Sequence, residues 1–166
     1  MIDGVYRVTE SGEHEVRFDR RVAQPVAKVW AALTDPAVLK NWLGDVEIEP
    51  RVGGTFVLDF RGQELMTGMV TAFEPEHVIA YTWTEKNGLP PSHVRWELSR
   101  DGEGCRLVLT HRYPASMTRK DIVPFLAGWH AFLDVIGRGA AGEFVPYQDE
   151  SGLRLEYGAR YLESAR

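Results

Sequence analysis

The side chains of this 166-residue chain that could carry chemistry are five histidines, one cysteine and 24 carboxylates. The histidines, at 14, 77, 93, 111 and 130, form no H-x-H or H-E-x-x-H pair, and Cys105 has no partner for a zinc site or a disulfide. Neither a G-x-S-x-G elbow, a Walker loop nor a G-x-G-x-x-G turn is present. His111 shares a strand face with Leu107 and Leu109, a face expected to look into the concavity of a sheet. It fits a core histidine satisfied by a backbone carbonyl, one exposed where the strand ends, or a polar anchor for a ligand carbonyl or hydroxyl. In an apolar setting desolvation would favour its neutral form. Tyr81 is a second inward-facing polar group. Asp59 and Glu97 fall on outward faces, which disfavours a carboxylate pair, and His93 also lies on a polar face. His130 falls at the edge of a helical stripe, a boundary position. Arg61, Arg95 and Arg106 read as solvated charges, and Cys105 as a small buried or edge thiol. No catalytic residue, metal site or cofactor is assigned.

Three regimes of periodicity must position these groups. His14 to Val22 alternates as a strand, and Pro25 with Val26, Val29, Trp30 and Leu33 then begins a short helix. Asp35-Pro36 restarts a second short helix as N-cap and first residue, ending at Gly44. From Val46 to His111 the period is two. Short strands alternate there with turns at Gly53-Gly54, Arg61-Gly62, Glu74-Pro75-Glu76 and Asp101 to Gly104, and with a longer loop from Glu85 to Ser92. Gly68 marks a candidate bulge in the long strand Gln63 to Phe73. The third regime is one long amphipathic helix carrying Ile122, Phe125, Leu126, Trp129, Phe132, Leu133, Ile136 and Ala140 on one side. Because Pro124 is tolerated best in a first turn, Asp121 is expected as its N-cap rather than Thr118. The tail from Glu143 to Arg166 shows no clear period.

Composition narrows the function classes. The net charge of −5 and the lack of a basic block disfavour a nucleic-acid partner. No apolar run reaches the roughly 20 residues needed to span a bilayer, and the polar start lacks a signal-peptide core. The expected location is therefore the cytoplasm. Five Trp, six Tyr and seven Phe in so short a chain are the compositional excess that needs explaining.

Several motifs in this order carry a resemblance. They are Pro25 to Trp30, Leu33-Thr34-Asp35-Pro36, Trp42, Gly53-Gly54-Thr55-Phe56, Gly68-Met69-Val70, Glu74-Pro75, Tyr81-Thr82-Trp83, Leu107 to His111, and Gly128-Trp129 with Leu133. The chain resembles the START-like SRPBCC superfamily, in the branch named for the activator of the heat-shock-protein-90 ATPase. The likeness spans residues 13–142. It implies an α+β helix-grip fold: a curved antiparallel sheet of about seven strands around a long C-terminal helix, with two short helices after the first strand. Residues 1–142 would form the domain and 143–166 an extension of unassigned role. The resemblance also implies an apolar cavity between sheet and helix. Candidates for its lining from the sheet side are Phe56, Leu58, Phe60, Tyr81, Trp83 and Trp96. Trp42, His111, Trp129, Phe132 and Leu133 complete the set. The expected partner is a small apolar or aromatic ligand, with no nucleic acid and no membrane. Cyclase- or hydrolase-like catalysis, a co-chaperone-like interaction and a homodimer formed through the tail stand as alternatives.

Overall fold

The computed structural model describes residues 1–163. Eight strands form one antiparallel sheet: β1 (Val5–Val8), β2 (His14–Val22), β3 (Asp45–Ile48), β4 (Thr55–Asp59), β5 (Leu65–Glu74), β6 (Val78–Glu85), β7 (Ser92–Asp101) and β8 (Gly104–Tyr113). Their spatial order is β1-β2-β8-β7-β6-β5-β4-β3. Two short helices, α1 (Val26–Thr34) and α2 (Pro36–Leu39), connect β2 to β3. The long helix α3 (Arg119–Ala140) packs on the concave face, and α4 (Ser151–Gly158) runs into a π-helical turn at Ala159–Glu163. Among the described residues, no helix is long and apolar enough to cross a membrane.

The period-two pattern explains the sheet. Pairing sets Ile79 opposite Trp96, Tyr81 opposite Val94, and Val94 opposite His111 in turn. Val16 and Phe18 of β2 lie opposite His111 and Leu109, so the same face continues across four strands. Those residues are almost wholly buried, as are Ile122, Leu126, Leu133 and Ile136 of α3. Covering both apolar surfaces with each other is what fixes the helix on the sheet.

Several sequence expectations need correction. The sheet has eight strands, because β1 buries only Tyr6 of its four residues and so gives no alternation to detect. The short helices therefore follow the second strand, and α3 is not the last helix. Pro25 is the N-cap of α1 rather than its first residue. The N-cap of α3 is Thr118, not Asp121. Asp121 N–H donates to Thr118 Oγ1 at 3.2 Å, and the Asp121 carboxylate accepts from Thr118 N–H at 3.1 Å. This reciprocal capping box satisfies two helix-terminal donors, which outweighs leaving Pro124 inside the helix at an exposed position. The irregularity in β5 falls between Val70 and Ala72 rather than at Gly68. Gly68 has another cause, since a Cβ there would meet the Thr82 carbonyl oxygen at 2.0 Å.

The end of α3 turns by a Schellman arrangement. Gly142 (φ 96°) lies just past the cap, its N–H donating to Gly139 O at 3.0 Å, while Glu143 N–H donates to Arg138 O at 3.1 Å. That turn sends the tail back along the helix toward α4. His130, expected at a boundary, is buried because α4 covers it, and its Nδ1 bonds Tyr157 Oη at 2.7 Å.

Candidate functional site

A cleft of about 780 Å³ opens between the outer half of the sheet, α3 and the tail. Three stretches of chain build its walls. The sheet contributes Phe60 after β4, Gln63 and Glu64 from the following turn, and Trp83 and Glu85 of β6. The helix contributes Phe125, Gly128, Trp129 and Phe132 at the i, i+3, i+4, i+7 spacing of one helical face. The tail contributes Pro146 to Ser151 and Arg154. Trp42 closes one end from the segment after α2.

Of the eleven candidate residues, Trp42, Phe60, Trp83, Trp129 and Phe132 lie on the cleft walls. Their rings touch in series. Trp83 meets Trp129 at 5.5 Å between centroids and Phe60 at 6.0 Å, and Phe132 meets Phe60 at 6.3 Å and Trp42 at 6.2 Å. The other six lie in the core beneath. Phe56 stacks on Tyr81 at 4.1 Å, and Trp96 packs edge-on against both Trp42 and Trp129. Leu58 and Leu133 are buried, and His111 is wholly buried.

The two polar candidates are fully engaged below the wall. The Trp129 indole N–H donates to His111 Nδ1 at 3.0 Å, and Tyr113 Oη lies 2.9 Å from the same nitrogen. An indole can only donate, so the imidazole proton sits on Nε2 and is given to Ser92 Oγ at 2.7 Å. Burial, with His93 nearby, pushes the His111 pKa well below 6.5 and keeps the ring neutral. Tyr81 Oη accepts from Trp96 Nε1 at 2.9 Å, and burial raises its pKa far above the usual phenol value. Both groups serve packing within the core. Among the described residues no cluster of His, Cys, Asp or Glu could hold a metal ion.

Trp83 differs from its neighbours. It is 5% exposed, and its Nε1 is the only buried side-chain polar atom without a hydrogen bond among the described residues. The indole is turned toward the Glu85 carboxyl without closing a bond of normal geometry. Glu85 accepts from Asn87 Nδ2 at 2.9 Å, and burial together with the charge of Glu64 holds its carboxyl above the ordinary value.

The tail wall is clamped by Arg61, a residue that spacing alone marked as an ordinary surface charge. Its Nη2 donates to the carbonyls of Val145 (3.0 Å), Lys40 (3.3 Å) and Asn41 (3.5 Å). Its guanidinium lies over the rings of Tyr147 at 4.1 Å and Phe144 at 4.6 Å. Tyr147 Oη donates to Leu43 O at 2.7 Å, and burial pushes its pKa up to about 12. The available signal was the cluster Phe144, Val145 and Tyr147 after Gly142, apolar residues that need cover.

Residues 23–138 match the family described as Activator of Hsp90 ATPase homolog 1-like protein. Among solved structures, CalU16 from Micromonospora echinospora is similar at 25% identity and a TM-score of 0.75, covering 97% of this chain and 96% of that one. DynU16, from the dynemicin biosynthetic locus, is 25% identical with a TM-score of 0.72, over 78% of this chain and 48% of its own. A conserved protein of Enterococcus faecalis, EF2215, shares the fold at 18% identity and a TM-score of 0.76, covering 99% and 93% of the two chains. No curated protein matches the sequence. The matched family segment ends before the tail, so the wall built by Pro146 to Arg154 lies outside it.

Proposed function

The chain belongs to the Activator of Hsp90 ATPase homolog 1-like family, and from that premise we propose that it binds a small apolar or aromatic molecule in the cleft between α3, the sheet and the tail. The observation that carries the reading is an aromatic-walled space of about 780 Å³, inside the roughly 300–1,000 Å³ range of small-molecule sites. Aromatic rings from the sheet and α3 meet a polar stretch of comparable extent, supplied by residues 63–64, 85, 87, 148–151 and 154, an arrangement that fits a ligand with an apolar body and a polar end. His111 and Tyr81 do not support a catalytic reading, because both are spent on core hydrogen bonds behind the Trp wall. A general acid or base must reach its substrate within hydrogen-bond distance, and neither does.

Gly128 provides the test. It sits on the cleft face of α3, and a Cβ there would meet only Glu150 Oε2, at 3.5 Å. Gly128→Leu would fill the cleft while improving helix propensity by about 0.8 kcal/mol. The neutral fluorophore N-phenyl-1-naphthylamine should bind the wild-type protein saturably. The variant should melt no lower and lose at least about tenfold in affinity. Equal binding to both proteins would move the ligand elsewhere and end the proposal.

A further inference from the structure

The polar rim of the cleft has an uneven charge. Its lining carries four carboxylates, Glu64, Glu85, Asp149 and Glu150, against one cation, Arg154. Arg154 is already paired with Glu150. Glu64 and Glu85 form no ion pair among the described residues, although β5–β6 pairing of Met66 with Glu85 brings them to the same end of the cleft. Glu85 follows Trp83 by two residues on one strand, so both side chains lie on the cleft side. Beside them is the Trp83 indole N–H, turned toward the Glu85 carboxyl without a hydrogen bond of normal geometry. A buried donor left unpaired costs stability, as does a half-buried carboxylate facing another carboxylate. Both fall on the cleft that Trp83 and Trp129 also line, and the π-systems of those rings attract cations.

We propose that the ligand is an organic amine with a planar apolar body. Its protonated nitrogen lies between Glu85 and Glu64, and its body rests on Trp83, Trp129 and Phe132. An oxygen next to that nitrogen would complete the open hydrogen bond of Trp83. This assignment rests on the binding function proposed above and adds the sign of the ligand's charge. A neutral apolar molecule would leave the two carboxylates facing each other in a drier site. An anion would add a third negative charge, whereas a cation offsets the repulsion directly.

Three probes sharing one ring system separate these cases: 2-naphthylmethylammonium, 2-naphthalenemethanol and 2-naphthoate. Each is titrated at pH 7 and fixed ionic strength against protein carrying N-phenyl-1-naphthylamine. The ammonium probe should displace it about tenfold more tightly than the alcohol, with naphthoate weakest. Glu85→Gln should remove most of that preference, and Glu64→Gln a smaller part, the ammonium losing affinity while the alcohol, relieved of the carboxylate repulsion, gains. Glutamine keeps an acceptor for Asn87, so both variants are expected to fold, and thermal melts verify it. Equal affinity for ammonium and alcohol, or a preference that survives both substitutions together, overturns the charge assignment and leaves the binding function intact. Failure of all three probes, with the fluorophore still expelled by Gly128→Leu, has the same meaning. Should the fluorophore itself fail to bind, the binding function falls and this assignment with it.

Discussion

Four Trp side chains are at most 5% exposed, and they differ in what their N–H groups find. Trp42 donates to Ala32 O, Trp96 to Tyr81 Oη and Trp129 to His111 Nδ1, whereas Trp83 only approaches the Glu85 carboxyl, without a hydrogen bond of normal geometry. This contrast yields a prediction free of the usual ambiguity about size. Trp83→Phe and Trp96→Phe remove the same atoms from buried sites, so their cavity costs are similar. Trp96→Phe strands a partner, since the Tyr81 hydroxyl is wholly buried and has that indole as its hydrogen-bond donor, whereas Glu85 beside Trp83 keeps Asn87 as a donor. Urea denaturation should therefore show Trp96→Phe as less stable than Trp83→Phe by about 1–3 kcal/mol. Equal midpoints would mean that the Trp83 N–H is satisfied after all. Much at this scale was legible in sequence. Alternation put Tyr81, Trp83, Trp96 and His111 on the inner face, and that is where they lie. What alternation cannot give is depth along the face. Trp83 and Trp96 have the same periodic signal, yet one borders the cleft and the other lies beneath it, because helix position and tail decide which rings are covered.

Elements with a long apolar period were legible, and elements held by single contacts were not. β6 to β8 follow from alternation and α3 from its stripe. β1 has four residues with one buried. The strap at residues 143–150 has no period at all. It stays in place through Arg61, through Val145 N–H donating to Asn41 O at 2.7 Å, and through the Tyr147 hydroxyl. Arg61 also holds a positive φ of 53°, uncommon for a residue with a Cβ, so the turn keeps a local strain that the three carbonyl contacts and two ring contacts offset. Arg61→Gln should break the clamp at a cost of about 1–2 kcal/mol. Hydrogen exchange should accelerate at Val145 and its neighbours, while the amides of β7 and β8 stay protected. Because Tyr147 to Ser151 form one wall of the cleft, affinity for N-phenyl-1-naphthylamine should fall by a few-fold. Unchanged exchange in the strap would show that the tail docks without Arg61.

At the scale of the whole molecule, the two ends of the chain hold each other. Tyr157 of α4 is wholly buried, its hydroxyl accepting from Gly4 N–H at 3.0 Å while also bonding His130 of α3. Tyr161 Oη donates to Gly4 O at 3.1 Å, and Arg119 Nη1 donates to Tyr161 O at 3.2 Å. A Cβ at Gly4 would lie 2.5 Å from the Phe18 ring and 2.8 Å from Tyr157 Oη, so the approach is close enough to require glycine. From sequence the tail looked separable, with apolar residues free to join a second copy. In the fold Tyr157 is covered from within, and the exposed apolar side chains Leu155, Phe144 and Leu162 are what the described part of the tail still presents. A chain ending at Gly142 tests which description holds. It would expose the His130 and Phe18 flank, leave the Gly4 amide without its acceptor and remove the wall from Pro146 to Arg154. Losing one buried tyrosine and its hydrogen bonds is worth about 3–5 kcal/mol, which for a chain of this size lowers the melting temperature by about 10 °C or more. The shortened protein should also lose the fluorophore, since its cleft has become an open groove. Sedimentation alongside the melt separates this from self-association. A fall in stability with an unchanged sedimentation coefficient per mass places the tail in the protomer's own fold. An unchanged melt with loss of a dimer would instead make it a contact between copies.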